Sequence, residues 1–160
     1  MIQPPNPKPE IRSFALPNVA ATLALGDRLG ALLTIGDVAA LWGDLGSGKT
    51  TLTRGLVQGR LGPDAETPSP TFTLVQTYDL PAGELWHFDL YRLESAEDAF
   101  ELGIEDAFAD AISIIEWPGR LGQYLPSERL DVVLSIQGDA RTAKLYGGEY
   151  WARRLQERRL

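Results

Sequence analysis

Eight residues, Gly43-Asp44-Leu45-Gly46-Ser47-Gly48-Lys49-Thr50, concentrate the chemistry of this chain. They fit the spacing G-x-x-x-x-G-K-[ST] of a phosphate-binding loop. Glycines let backbone N–H groups turn inward around an anion with no Cβ in the way. A helix that starts at such a loop adds partial positive charge. Lys49 has the reach for β- and γ-phosphates, and Thr50 has a hydroxyl for Mg²⁺. The flanks agree with this chemistry. Asp37 to Trp42 is a short apolar run suited to a buried parallel strand. Thr51 to Val57 has helical spacing of apolar residues. Strand, loop and helix in that order separate the motif from a glycine-rich turn that binds nothing. The loop implies a nucleoside triphosphate without saying what its hydrolysis drives.

Such a loop needs carboxylates at the ends of neighbouring strands to hold metal or orient water. Glu116 has that setting. Four of the five residues from Ala111 to Ile115 are apolar, and Trp117-Pro118 breaks the strand after it. The other reading is an ordinary surface acid. Asp89, in His87-Phe88-Asp89-Leu90-Tyr91-Arg92, is the second candidate. It could meet Mg²⁺ directly while Arg92 orients it or stabilises phosphate charge, or it could form a local pair with Arg92. His87 reads as a core histidine. Thr71 lies in Thr67-Pro68-Ser69-Pro70-Thr71-Phe72. A loop threonine can sense a γ-phosphate and its metal. Prolines and hydroxyls also make ordinary turns, and spacing leaves both readings open.

The elements that must hold these groups follow from pattern. A strand is expected over 13–17, then Asn18 as N-cap and a helix over 19–33. Gly59 and Gly62-Pro63 should break the helix after the loop. Strands 73–78 and 84–90, joined at Pro81-Ala82-Gly83, read as a hairpin. Ser95 caps a helix over 96–102, and 105–108 reads as a further helical turn. Strand 111–115 precedes Glu116, and 119–126 is loop or short helix. Strands follow over 131–137 and 143–146, and a helix over 149–160. The expected fold is α/β: one phosphate-loop domain with three layers and a mixed, mainly parallel sheet that includes a β-hairpin. Nucleotide then sits at the carboxyl ends of the strands. The expected divisions are a flexible lead-in 1–12, the domain 13–148 and a basic helix 149–160.

The 160 residues suffice for one domain with a real core. There is no cysteine, so disulfides and thiolate sites are excluded, and the single His87 excludes a multi-histidine metal site within one chain. Net charge is −7, which argues against nucleic-acid binding by the chain alone. Its late basic residues, Arg141, Lys144, Arg153, Arg154, Arg158 and Arg159, read as a solvated helix face or as a tail that touches RNA or an acidic partner. No apolar run is long enough to span a bilayer. Met1 to Glu10 lacks the apolar region of a signal peptide, so a cytoplasmic location is expected.

Four motifs in series, GDLGSGKT at 43–50, SPTFTL at 69–74, HFDLYRL at 87–93 and IEWP at 115–118, resemble the TsaE (YjeE) family over about Leu16 to Leu145. That family comprises bacterial ATPases of the tRNA threonylcarbamoyladenosine pathway. The resemblance implies slow ATP hydrolysis in support of TsaB and TsaD, which transfer the threonylcarbamoyl group to tRNA adenosine 37. tRNA is then met through the complex and no membrane is involved. It implies that Leu45, Gly46, Ser47, Gly48, Lys49 and Thr50, with Thr51, bind phosphate, and that Thr50, Asp89 and Glu116 serve Mg²⁺. Ser69 to Phe72, with Thr71, match a switch-like segment, and Lys49 joins the catalytic set. Val19 falls to the base pocket, Ala140 and Arg141 to a late segment near the nucleotide, and Trp117 follows the acid as the family pattern has it. Gly119 and Arg120 depart from an acidic residue usual after IEWP. The proline-rich lead-in and arginine-rich tail are also additions. Competing readings are a small-molecule or nucleotide kinase, for which Arg120 and Arg129 could arm a lid, and a nucleotide-dependent binding module with little turnover. No N-K-x-D guanine-reading motif occurs.

Overall fold

A computed structural model of the chain describes residues 2–5 and 8–160. Seven strands form one sheet: β1 (Glu10–Leu16), β2 (Val38–Trp42), β3 (Val75–Leu80), β4 (Gly83–Asp89), β5 (Ile112–Glu116), β6 (Leu130–Gln137) and β7 (Ala140–Tyr146). Their spatial order is β1-β7-β6-β2-β5-β4-β3. The central four, β6, β2, β5 and β4, are parallel. The outer strands pair antiparallel, and β3 and β4 form the expected hairpin. Helices α1 (Val19–Leu32), α2 (Lys49–Leu61), α3 (Ile104–Asp110) and α4 (Glu149–Glu157) complete the chain with two 3₁₀ segments, Ala96–Leu102 and Pro118–Tyr124.

The layers follow from the period-two alternation of buried strands. Leu41 and Ile114 face α1 and α2, meeting Leu25, Leu29, Leu52 and Leu56. Val38, Phe88 and Ile115 point the other way, onto Ile104, Ala107 and Leu121. Every residue of β2 and β5 is buried. Strands enclosed on both faces read as unbroken apolar runs, which is why these two were visible in the sequence.

Helices α1 and α2 cross at glycines. A Cβ on Gly26 would strike the Leu52 carbonyl oxygen, and one on Gly55 the Leu23 carbonyl oxygen. This contact sets α2, and with it the phosphate loop, against the rest of the domain. We expect Gly26→Ala to destabilise by about 2 kcal/mol, the cost of forcing apart a packed backbone contact. Chemical denaturation checks this, and an unchanged midpoint would show that the helices can separate freely.

Several boundaries differ from expectation. Strand β1 starts at Glu10, inside the lead-in expected to reach Arg12, because its backbone pairs with β7 from Tyr146 onward. Pro4 of that lead-in is buried, Lys8 donates to the Ser127 carbonyl, and Gly147 N–H donates to the Pro9 carbonyl at 3.2 Å. Residues 1, 6 and 7 of the lead-in lie outside the described residues. Gly59 does not break α2, which ends at Gly62 with φ +107°. Gly59 instead lets Asp27 approach, and Asp27 pairs with Arg60 at 2.6 Å. The Ser95-capped segment carries a reciprocal capping box with Asp98 but winds as 3₁₀ up to Gly103. Strand β7 begins at Ala140, three residues before its expected start, and α4 ends at Glu157.

The C-terminal helix is part of the core. Trp151 and Leu155 are buried, and Arg154 donates to Asp37 Oδ2 at 2.7 Å and to the Leu32 carbonyl. Two more of the late basic residues form exposed surface pairs: Arg153 with Glu149 at 3.0 Å and Lys144 with Glu10 at 3.6 Å.

Candidate functional site

The phosphate loop joins the end of β2 to the start of α2. Gly43, Gly46 and Gly48 have φ of +143°, +80° and +107°, a region closed to most side chains. A Cβ on Gly43 would also sit 2.6 Å from the Leu134 carbonyl oxygen of β6. The loop thus needs glycine at 43 for both conformation and space.

Parallel pairing brings the carboxylates to this loop. Asp89 at the end of β4 lies opposite Glu116 at the end of β5, and Glu116 lies opposite Leu41 of β2. All three strands end at one edge, where residues 44–51 of the loop, with Thr71, Asp89, Glu116 and Trp117, line a cleft of about 250 Å³. Thr50 Oγ1 donates to the Glu116 carboxylate, 3.1 and 3.2 Å from its two oxygens. Thr71 Oγ1 donates to Asp89 Oδ2 at 3.3 Å and lies 2.7 Å from Ser69 Oγ. Tyr91 N–H donates to Asp89 Oδ1 at 3.1 Å.

Lys49 is buried and turned back on its own loop. Its Nζ donates to the carbonyls of Gly43 and Asp44, the second at 3.2 Å, and lies 4.1 Å from the centre of the Trp117 ring. Burial lowers the Lys49 pKa, while Glu116, Asp89 and Asp44 oppose that shift. Trp117 holds this place in a left-handed backbone conformation, φ 57° and ψ 50°, with its ring 4.8 Å from that of Tyr91.

Asp89 is pushed above the ordinary aspartate range, first by burial and then by the charge of Glu116. The Tyr91 N–H, His87 and Thr71 act against that shift. A raised carboxyl pKa means the folded state binds its proton more tightly than the unfolded state does. Stability is then fully present below the unfolded pKa and falls as pH rises through the folded one. Asp89→Asn should therefore raise the melting temperature near pH 7, and this gain should vanish once pH drops below the ordinary aspartate range. A gain independent of pH in a series of thermal melts would assign it to something other than this charge.

The cleft thus brings together Leu45 to Thr51, Thr71, Asp89 and Glu116. Three other expected residues lie outside its lining. Arg141, at the start of β7, reaches the loop by donating from Nε to the Gly46 carbonyl at 3.1 Å. Ala140 precedes it and supplies a carbonyl to the same guanidinium at 2.9 Å. Val19 is 59 % exposed at the first turn of α1, one turn before Thr22, whose methyl lies 3.6 Å from a Cβ position on Gly48.

Two expectations about charged neighbours change. Arg92 makes no ion pair with Asp89 among the described residues; its guanidinium sits 4.6 Å from the ring centre of Phe72. Arg129 is buried and committed to Asp131 at 2.7 Å and to the Pro126 carbonyl at 2.9 Å, so it cannot arm a lid. His87, read as a satisfied core histidine, is buried, and the partner that satisfies it is Glu116, whose Oε2 lies 2.6 Å from its Nε2. The signal for this was present: a spacing of two on β4 puts His87 on the face of Asp89.

The donor set is made of hard oxygens, two carboxylates and a hydroxyl, and no group of three or more His, Cys, Asp or Glu able to hold a metal by themselves occurs among the described residues. Such a set suits Mg²⁺, which takes one or two carboxylates together with phosphate oxygens and water, and does not suit a self-contained metal cage.

Comparison with known proteins bears on the family. The family model described as threonylcarbamoyl adenosine biosynthesis protein TsaE matches residues 16–144, which include the whole cleft. The tRNA threonylcarbamoyladenosine biosynthesis protein TsaE of Haemophilus influenzae is 44 % identical over 104 residues, 64 % of this chain and 65 % of that protein. The proteins of the same name from Bacillus subtilis and Synechocystis are 37 % and 42 % identical; the matches cover 76 % and 72 % of this chain and 76 % and 74 % of theirs. The crystal structure of Bacillus subtilis YdiB superposes with a TM-score of 0.75 at 30 % identity, over 92 % of this chain and 93 % of that one. With a matched stretch running from the last residue of β1 well into β7, and relatives of that name 37 % and 42 % identical over more than two thirds of the chain, the chain belongs to the TsaE family.

Proposed function

We propose that this chain is an Mg²⁺-dependent ATPase subunit that serves threonylcarbamoylation of tRNA adenosine 37 by supporting turnover of TsaB and TsaD. The observation that carries the reading is the meeting, in one cleft, of Lys49 and Thr50 with two strand-end carboxylates, Glu116 and Asp89. The pathway follows from family membership and from the names of the relatives.

The roles follow from the contacts. The N–H groups of residues 45–50 cradle the phosphates, and Lys49 exchanges its own loop carbonyls for β- and γ-phosphate oxygens. Thr50, Glu116 and Asp89 would hold Mg²⁺, which when bound offsets the charge that develops between the β- and γ-phosphates. Glu116 and Asp89 orient the attacking water, and Thr71 couples the 69–72 loop to the γ-phosphate through Asp89. Val19 on one side and Ala140 and Arg141 on the other bracket the space for adenosine. The kinase alternative loses Arg129 to a buried pair, and no observation favours it.

The net charge of −7 and the engaged late basic residues support contact with tRNA through the partner proteins. No described helix is long and apolar enough to cross a membrane. We place the activity in the cytoplasm, with the tRNA it serves. The test is reconstituted modification: TsaB, TsaD, tRNA and an activated threonylcarbamoyl donor, with and without this chain and ATP. The proposal expects modification over many turnovers only when both are present. Equal product without the chain would overturn it.

A further inference from the structure

We propose that His87 positions Glu116 for catalysis, an inference that rests on the ATPase reading above. His87 lies on β4, two residues before Asp89 and level with Ile114 of β5, one alternation below Glu116. Its Nε2 lies 2.6 Å from Glu116 Oε2, and the two side chains are 2 % and 4 % exposed. A carboxylate oxygen at that distance accepts, so Nε2 carries the hydrogen and donates.

Glu116 is therefore held from two elements. The Thr50 hydroxyl reaches both carboxylate oxygens from α2, and His87 grips Oε2 from β4. A glutamate at a strand end has several freely rotating torsions, and two anchors remove most of that freedom before substrate arrives. If Thr50 turns its hydroxyl to metal, His87 is the anchor that remains. Without it the carboxylate can swing toward the Lys49 ammonium, on which the charge of Glu116 acts across the cleft.

His87 is too buried to touch a solute in the cleft. It acts through Glu116, as an outer-shell partner acts through a ligand. A histidine that merely filled space would be replaceable by any residue of similar volume. One that positions Glu116 needs an N–H at the Nε2 position. The amide of glutamine reaches that position, and that of asparagine stops about one bond short.

The experiment compares purified wild type, His87→Gln, His87→Asn and His87→Leu for ATP affinity by calorimetry, for turnover, and for melting temperature. The expected result is a loss of kcat of about 10- to 100-fold in the Asn and Leu variants, with ATP affinity within about threefold of wild type. His87→Gln should recover most of the lost turnover. Placed in a Glu116→Gln chain, His87→Asn should cost little more, because both changes act on one group. His87→Asn turning over like wild type would overturn the inference. So would a parallel loss of turnover, ATP binding and melting temperature in all three variants, which would make His87 a packing residue. A wild-type chain that does not hydrolyse ATP is a distinguishable result: it overturns the ATPase reading and this inference with it.

Discussion

Lys49→Ala is expected to remove ATP-dependent activity, by about two to three orders of magnitude in turnover, and to leave the fold intact. The size follows from what a preorganised, buried charge is worth when aimed at developing phosphate charge. The tolerance of the fold follows from the contacts. Among the described residues, the Lys49 ammonium bonds only to carbonyls of its own loop and lies against the Trp117 ring. Burial penalises its charge, so the folded protein gains little from keeping it. The melting temperature should stay within a few degrees of wild type, the range of about 1 kcal/mol in a domain of this size. Hydrolysis at the normal rate in this variant would sink the phosphate-loop assignment. Unfolding of the variant would show that the ammonium carries the loop structure.

Glu116→Ala should lower turnover by about a hundredfold while weakening ATP binding only a few-fold, since the carboxylate acts on charge and water more than on the nucleotide itself. This substitution also strands the Thr50 hydroxyl and His87 Nε2, a cost of about 1–3 kcal/mol if neither finds water. Glu116→Gln is the cleaner companion, because it keeps volume and an acceptor while removing charge. Single-turnover kinetics beside equilibrium binding separates the two effects. Equal losses in binding and turnover would make Glu116 a structural residue.

Much of this site was legible in the sequence for one physical reason. Strands β2 and β5 are enclosed on both faces, so they announce themselves as apolar runs, and a carboxylate or glycine loop at the end of such a run has few other places to be. The parallel centre of the sheet then sends both ends to one edge. What stayed hidden depended on neighbours distant in the chain. That β1 extends back to Glu10 is set by pairing with β7 near residue 146. Gly59 reads as a breaker, yet it lies in α2 because Asp27 from α1 needs its space. From sequence Arg92 reads as a partner of Asp89 or of phosphate, and Arg129 as a residue that could arm a lid. The first lies on Phe72, and the second pairs with Asp131, to which the Trp42 indole also donates at 2.8 Å. His87 reads from sequence as a satisfied core histidine at the strand end of Asp89; that its partner is Glu116 depends on the pairing of β4 with β5.

The account stands or falls on ATP turnover. The most direct measurement is hydrolysis by the purified chain with Mg²⁺, alone and with TsaB and TsaD from the same source, wild type beside Lys49→Ala. The account predicts slow turnover alone, a clear rise with the partners, and neither in the variant. Turnover that ignores the partners, or that persists without Lys49, would contradict it.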